Sequence, residues 1–155
     1  MGSGKNFIGN KISELTGLPF IDGDSFLPES LLKKVENAEL IFASEIDLFL
    51  RQNLLPGLVE LSKQFPDGVI VEQALYGESH RNLIASQLNC DFFWIKTPFK
   101  QHLRNLSYRS NSGKWIINML LSKMAFNKPI LPHKIIVNSD NLLKLDEQLK
   151  RHFLK

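Results

Sequence analysis

The run Gly2-Ser3-Gly4-Lys5-Asn6 holds residue types that can bind a phosphate. Small residues let backbone N–H groups approach the oxygens, and a lysine neutralises them. A helical pattern follows at once, with Ile8, Ile12 and Leu15 on one face, so the run opens a helix. The full form of such a loop begins with a further glycine, which would lie before Met1, and places Ser or Thr on Mg²⁺ where this chain has Asn6. An amide oxygen also coordinates hard cations, which makes Asn6 a candidate metal ligand. The alternative reading is a flexible turn before a helix.

Carboxylates recur where such a loop would need them. Leu18-Pro19-Phe20-Ile21 has the length of a buried strand and leads into Asp22-Gly23-Asp24, placing Asp22 and Asp24 where ligands bind in open α/β sheets. An ordinary acidic turn is the alternative. Val69-Ile70-Val71-Glu72 reads as a strand buried on both faces and ending in a carboxylate, an arrangement suited to holding Mg²⁺ through water or positioning a nucleophile. Arg104 and Arg109 precede the polar segment Ser110-Asn111-Ser112-Gly113, which suits a lid over phosphates, or a solvated loop between helices. His80 reads as a helix-surface histidine, and Asp47 with Arg51, four apart, as a surface pair.

The elements that must position these residues alternate. The first helix spans about Lys5 to Leu15 and closes at Gly17. From Pro28 to Gln64 the pattern is helical, in pieces interrupted near Pro56-Gly57. Phe92 to Lys96 is the next strand, with Thr97 a candidate cap for a helix beginning at Pro98. A helix from Trp115 to Phe126, a strand from His133 to Val137 and a helix from Leu142 to Leu154 complete the chain. Strands alternating with helices predict an α/β fold with a largely parallel sheet.

At 155 residues, 43% hydrophobic and 23% charged, the chain fits one soluble domain. No apolar run approaches about 18 residues, no signal-peptide pattern is present and Cys90 is the one cysteine, which predicts a reduced, cytoplasmic protein without a membrane partner. Residues 1–95 carry 7 Lys or Arg against 13 Asp or Glu, whereas residues 96–155 carry 12 against 3. The basic residues are scattered singly among apolar ones, so nucleic acid is not the expected partner; a basic lid or a solvated face accounts for the asymmetry.

Together these residue sets resemble a small P-loop kinase of the gluconokinase and shikimate kinase group. The resemblance rests on Gly2-Ser3-Gly4-Lys5, on Leu18-Pro19-Phe20-Ile21-Asp22-Gly23-Asp24, and on Gly68-Val69-Ile70-Val71 with Ala74-Leu75 and Arg81. It continues through Arg104 and Arg109 to Ile136-Val137-Asn138-Ser139. It implies a three-layer sandwich with a mainly parallel sheet flanked by helices, and a single domain over residues 1–155. Within it the phosphate loop would be residues 1–6, a substrate-binding helical region about 25–64, and a lid about 107–127.

It further implies ATP-dependent, Mg²⁺-assisted phosphorylation of a hydroxyl on a small sugar acid or polyol. Lys5 and the amides of Gly2, Ser3, Gly4 and Lys5 would hold the phosphates, and Asp22 or Glu72 would hold Mg²⁺ through water, beside Asn6. Asp24 would orient the acceptor hydroxyl and accept its proton, while Arg81 would bind an acidic substrate group. Arg104 and Arg109 would close over the phosphates and adenine, and Asn138 and Ser139 would belong to the same nucleotide site.

Gluconokinases usually carry His-Pro soon after Asp-Gly-Asp, where this chain has Leu27-Pro28, and a small Cys-Ser pair where it has Glu72-Gln73. With Asn6, these departures admit another acceptor, such as shikimate or a nucleoside monophosphate, or a catalytically weak, nucleotide-binding pseudokinase acting as an interaction module. In the related fold the strand before the phosphate loop is central, and this chain starts too late to supply it, so a truncated or misassigned start is expected. A homodimer is compatible with the sequence.

Overall fold

Left-handed glycines bracket the first helix, and the rest of the fold is arranged around it. In the computed structural model, which describes residues 2–108, 112–138 and 140–154, Gly4 (φ 77°) leads into α1, Lys5–Thr16. Gly17 (φ 75°) ends it, with the Gly17 N–H donating to the Ser13 carbonyl at 2.8 Å. A side chain at either position would be forced into a region L-residues avoid. Ile8 and Ile12 are buried and pack with Ile136, Leu145 and Leu149 into one core that also takes in Ile70, Phe93 and Ile95. The apolar stripe of α1 thus meets strands from both halves of the chain.

Those strands are short, and every pairing is parallel, as expected. β1 (Phe20–Asp22) pairs with β2 (Ile70–Glu72) in the register Phe20↔Ile70, Ile21↔Val71 and Asp22↔Glu72. β3 (Phe92–Lys96) pairs with β4 (His133–Val137), from Phe92↔His133 to Lys96↔Val137. The two pairs form separate two-stranded sheets, and among the described residues no strand lies between β2 and β3. The expectation that Val69–Glu72 is buried on both faces is corrected accordingly: β2 is only half-buried, because one of its edges has no neighbouring strand among the described residues.

A 3₁₀ turn, Gly23–Phe26, follows β1 and leads to α2 (Glu29–Glu36). α3 (Ala43–Phe49) runs through a π-helical segment, Leu50–Leu54, into α4 (Leu55–Gln64). The interruption expected at Pro56-Gly57 therefore falls upstream of the proline. Pro56 has no N–H to give to the carbonyl four residues back, and its ring crowds that carbonyl, so the preceding turn widens and the Leu55 N–H reaches the Leu50 carbonyl instead. Leu31, Phe49, Leu50 and Leu54 make a second core, against Phe26, Leu75 and Leu83.

α5 (Glu78–Ala85) follows β2, α6 (Phe99–Ser107) follows β3, and α8 (Leu142–Phe153) follows β4. α7 (Ser112–Ala125) buries Trp115 and Met119 against Leu106 and Ala38 in a third core. Much of the span expected as a lid is thus a packed helix, while residues 109–111, including Arg109, lie outside the described residues. No helix among the described residues is long and apolar enough to cross a membrane.

Candidate active site

The register of β1 with β2 decides where the carboxylates stand. Because Asp22 is opposite Glu72 at the last pair, both reach the same end of the strands, and the turn after β1 carries Asp24 to that end as well. Asp22 caps this turn by accepting the Asp24 N–H at 3.0 Å. Its other oxygen accepts a 2.5 Å bond from the Asn6 amide of α1. Lys5 makes a 2.6 Å ion pair with Glu72, whose side chain is only 8% exposed.

The other strand pair grips the loop from the opposite side. The Thr97 hydroxyl, just past β3, donates to the Ser3 carbonyl at 2.6 Å, and the Asn138 amide, just past β4, donates to the same carbonyl at 2.9 Å. Thr97 therefore does not cap α6, whose N-cap residue is Pro98. Its hydroxyl is committed to Ser3. Asn138 is 4% exposed and packs so closely on Gly4 that a Cβ there would overlap its amide. Asn105 adds a bond to the Gly2 carbonyl at 2.9 Å.

These constraints surround one cavity of about 850 Å³, lined by Gly2 to Asn6, Asp22, Asp24, Glu72 and Gln73 at one end and by side chains of α2, α3, α5 and α7 at the other. It unites Gly2, Ser3, Gly4, Lys5, Asn6, Asp22, Asp24 and Glu72, eight of the candidates drawn from the sequence. The Asp24 carboxyl is held above its ordinary range by burial of its surroundings and next by the Asp22 charge, with Lys5 opposing, although part of the side chain is open to the cavity. A carboxylate raised in this way is a better proton acceptor than an exposed one.

The remaining candidates fall elsewhere. The expectation that Arg81 meets an acidic substrate is corrected by its burial: at 3% exposure it lies outside the cavity lining, held by its neighbours. Nε donates to Glu78 at 2.7 Å, and the two terminal nitrogens donate to the Leu75 and Asn127 carbonyls at 2.7 and 2.8 Å. It clamps α5 to the chain leaving α7. Arg104 is exposed and paired with Asp140, beside a shallow hollow near Gly4, Phe7 and Asn138, and that pairing raises its pKa. Arg109 and Ser139 lie outside the described residues.

Two wall residues were not foreseen as site residues. His80, read from sequence as a surface histidine, lines the cavity, and burial lowers its pKa, with the Asp47 charge opposing. A signal existed, since His80 lies four residues before buried Ile84, on the same face of α5. Gln73 follows Glu72 at the strand end, a position that strand geometry exposes to ligand.

The donor set fits a magnesium nucleotide. Mg²⁺ takes oxygen ligands and usually keeps several waters with one or two carboxylates and substrate phosphates, and Asp22, Glu72 and the Asn6 amide oxygen are of that kind. No group of three or more His, Cys, Asp or Glu among the described residues could hold a metal by itself. On the anion side, the loop at Gly4 is packed too tightly for a side chain and opens directly into α1, whose N-terminus favours phosphate.

A phosphate loop opening a helix, facing carboxylates at the ends of parallel strands, defines a P-loop small-molecule kinase. The chain belongs to the shikimate kinase family, which residues 1–119 match. Kinases of this family use ATP, generally with Mg²⁺. The fold is similar to that of an unliganded sugar kinase from Janibacter sp. HTCC2649, with 17% identity, a TM-score of 0.74, and coverage of 99% of this chain and 88% of that one. It is also similar to a gluconokinase from Sinorhizobium meliloti 1021, with 16% identity, a TM-score of 0.73, and coverage of 99% and 89%. No curated protein matches.

Proposed function

We propose that the chain transfers the γ-phosphoryl group of Mg-ATP to a hydroxyl of a small polyol or sugar acid. The observation that carries this reading is the meeting, in one cavity, of the loop Gly2–Asn6 with Asp22, Asp24 and Glu72. In this reading the amides of Gly2 to Lys5 and the Lys5 ammonium hold the phosphates, and Asn6, Asp22 and Glu72 orient the magnesium ion's oxygen ligands. Asp24 hydrogen-bonds the acceptor hydroxyl and takes its proton as the oxygen attacks phosphorus. Residues 25–64 supply much of the acceptor wall, with Trp115, Asn118, Leu121, Ser122 and Ala125 of α7 lining the same cavity.

Transfer of this kind needs positioning and charge stabilisation more than covalent chemistry, so this residue set suffices. Similarity to a sugar kinase and a gluconokinase supports a sugar-like acceptor. The test is ADP release from Mg-ATP by the purified chain across polyols, sugars, sugar acids, shikimate and nucleoside monophosphates. Release that depends on an acceptor and disappears in Lys5→Ala supports the reading. A folded chain that releases no ADP with any acceptor refutes it.

A further inference from the structure

The wall that α7 contributes carries polar groups at helical spacing. Trp115, Asn118, Ser122 and Ala125 recur at steps of three and four residues, so they share a face of α7, and all four line the cavity. Asparagine is a poor helix former, and at 7% exposure its amide must be satisfied. Its nitrogen donates to the Ala38 carbonyl at 2.8 Å. A carbonyl only accepts, so this bond fixes the amide with Oδ1 turned away from Ala38. No bond to Oδ1 forms among the described residues, yet it is not one of the unpartnered side-chain atoms sealed off there. It therefore keeps open surface, and the space beside Asn118 is the cavity.

Ala38 closes α2 in the left-handed conformation, φ 52°, with its N–H on the Val35 carbonyl at 3.1 Å and the Glu39 N–H on the Lys34 carbonyl at 2.8 Å. That conformation is unfavourable for alanine and persists where the surroundings hold it, here the third core and the Asn118 bond. One turn along α7, Oγ of Ser122 stands 3.4 Å from the Tyr76 hydroxyl, with both side chains half-buried and both on the cavity wall. A formed O–H···O bond spans about 2.5–3.0 Å, so the pair is slack, and each hydroxyl can still donate to and accept from a third. Tyr76 is held in place by its own carbonyl, which accepts the Asn127 N–H at 3.0 Å just beyond α7. The two polar points on α7 are thus tied to the opposite wall, one through the end of α2 and one through the segment after β2.

Side chains four apart on a helix have Cβ atoms about 5–6 Å apart, within reach of hydroxyls on neighbouring carbons of one small molecule. We propose that Asn118, Ser122 and Tyr76 are specificity-determining residues for the acceptor, reading two neighbouring hydroxyls of a polyol chain or ring. One hydroxyl donates to Oδ1 of Asn118, and the next sits between Oγ of Ser122 and the Tyr76 hydroxyl. This rests on the phosphotransferase reading and names the residues that choose its acceptor.

The experiment compares wild type with Ser122→Ala, Tyr76→Phe and Asn118→Leu. The probes are glucose, gluconate and xylitol, each beside its monodeoxy forms. Binding is measured by calorimetry in the presence of a non-hydrolysable ATP analogue and Mg²⁺, and turnover by ADP release. Each variant should bind the best probe about three- to tenfold more weakly, with affinity for the ATP analogue alone unchanged. The deoxy form that lacks the hydroxyl held by Ser122 and Tyr76 should bind wild type more weakly by a similar factor and lose nothing further in Ser122→Ala or Tyr76→Phe. Unchanged probe affinity in these two folded variants, an equal loss for the ATP analogue, additive losses with every deoxy form, or binding by no probe overturns the assignment. Asn118→Leu also breaks the tie to Ala38, so the two hydroxyl variants decide the matter if it fails to fold. Probe binding that depends on these side chains while no acceptor releases ADP would sink the phosphotransferase reading and leave the hydroxyl site standing. Acceptor-dependent ADP release that all the variants leave unchanged would sink this assignment alone.

Discussion

Replacing Glu72 by Gln separates the ion pair this carboxylate makes with Lys5 from the metal-orienting duty proposed for it. The Lys5–Glu72 contact is 2.6 Å, with the side chains 24% and 8% exposed. At an effective dielectric of about 20, unit charges at such a distance attract by about 6 kcal/mol. Withdrawal of both groups from water cancels most of that, leaving about 1–2 kcal/mol net, in the range of hydrogen bonds to charged groups. An incoming phosphate must draw Lys5 away from this carboxylate. Removing the charge therefore returns about 1.4 kcal/mol to nucleotide binding, close to a factor of ten.

In EDTA, Glu72→Gln should bind ATP about tenfold more tightly than wild type, read by calorimetry. In excess Mg²⁺ its kcat should instead fall by roughly 10- to 100-fold, the usual cost of losing a group that orients a metal's ligands. The two effects have opposite signs and separate cleanly. Equal or weaker ATP binding in EDTA, by a variant whose melting curve shows it folded, would refute the idea that Glu72 competes with phosphate for the lysine.

Asp24→Asn should lower kcat by about 10²- to 10⁴-fold, as loss of a general base does, with ATP affinity little changed. An acid whose folded pKa lies above 3.8 binds more protons folded than unfolded, so its contribution to stability falls as pH rises from 3.8 through the folded value. The asparagine variant escapes that loss, so it should melt higher than wild type at neutral pH, with the gain vanishing below pH 3.8. Arg81→Leu should destabilise by about 3 kcal/mol in urea titrations, because Glu78 and two carbonyls lose their donor, while kcat/KM per folded molecule changes little. A selective loss of activity with stability intact would instead make Arg81 a substrate ligand. Gly4→Ala must bear both a positive φ and an overlap with Asn138, so nucleotide binding should fall more than tenfold while α8 and its core persist by circular dichroism and exchange.

The parts of this fold that could be read from the sequence are those governed locally. Gly4 and Gly17 closing α1, the strand at Phe92–Lys96 and the carboxylates after β1 and at the end of β2 each follow from residues within a few positions. Arg81 could not be read this way. A guanidinium four residues into a helix looks equally ready for ligand or for carbonyls, and the Asn127 carbonyl that decides the matter is 46 residues away. Thr97 is similar: its position before a proline favours a cap, but the carbonyl of Ser3, 94 residues earlier in the chain, competes successfully for its hydroxyl. The π segment at Leu50–Leu54 is intermediate, since Pro56 foretells a defect but not the direction in which the helix absorbs it.

The separation of the strands into two ribbons has a consequence for how the reaction is geared. One ribbon, β1–β2, leads to Asp22, Asp24 and Glu72, proposed above as metal-side and proton-accepting carboxylates; residues just past the other, β3–β4, clasp the loop proposed to carry the phosphates. Among the described residues, α1 packs on both ribbons and Lys5 reaches Glu72, and these two contacts relate Asp24 to the phosphate loop. In the proposed reading, nucleotide takes the lysine and releases that contact. A shift of α1 on its core therefore changes the distance from the loop at Gly2–Lys5 to the carboxylates that follow β1 and end β2.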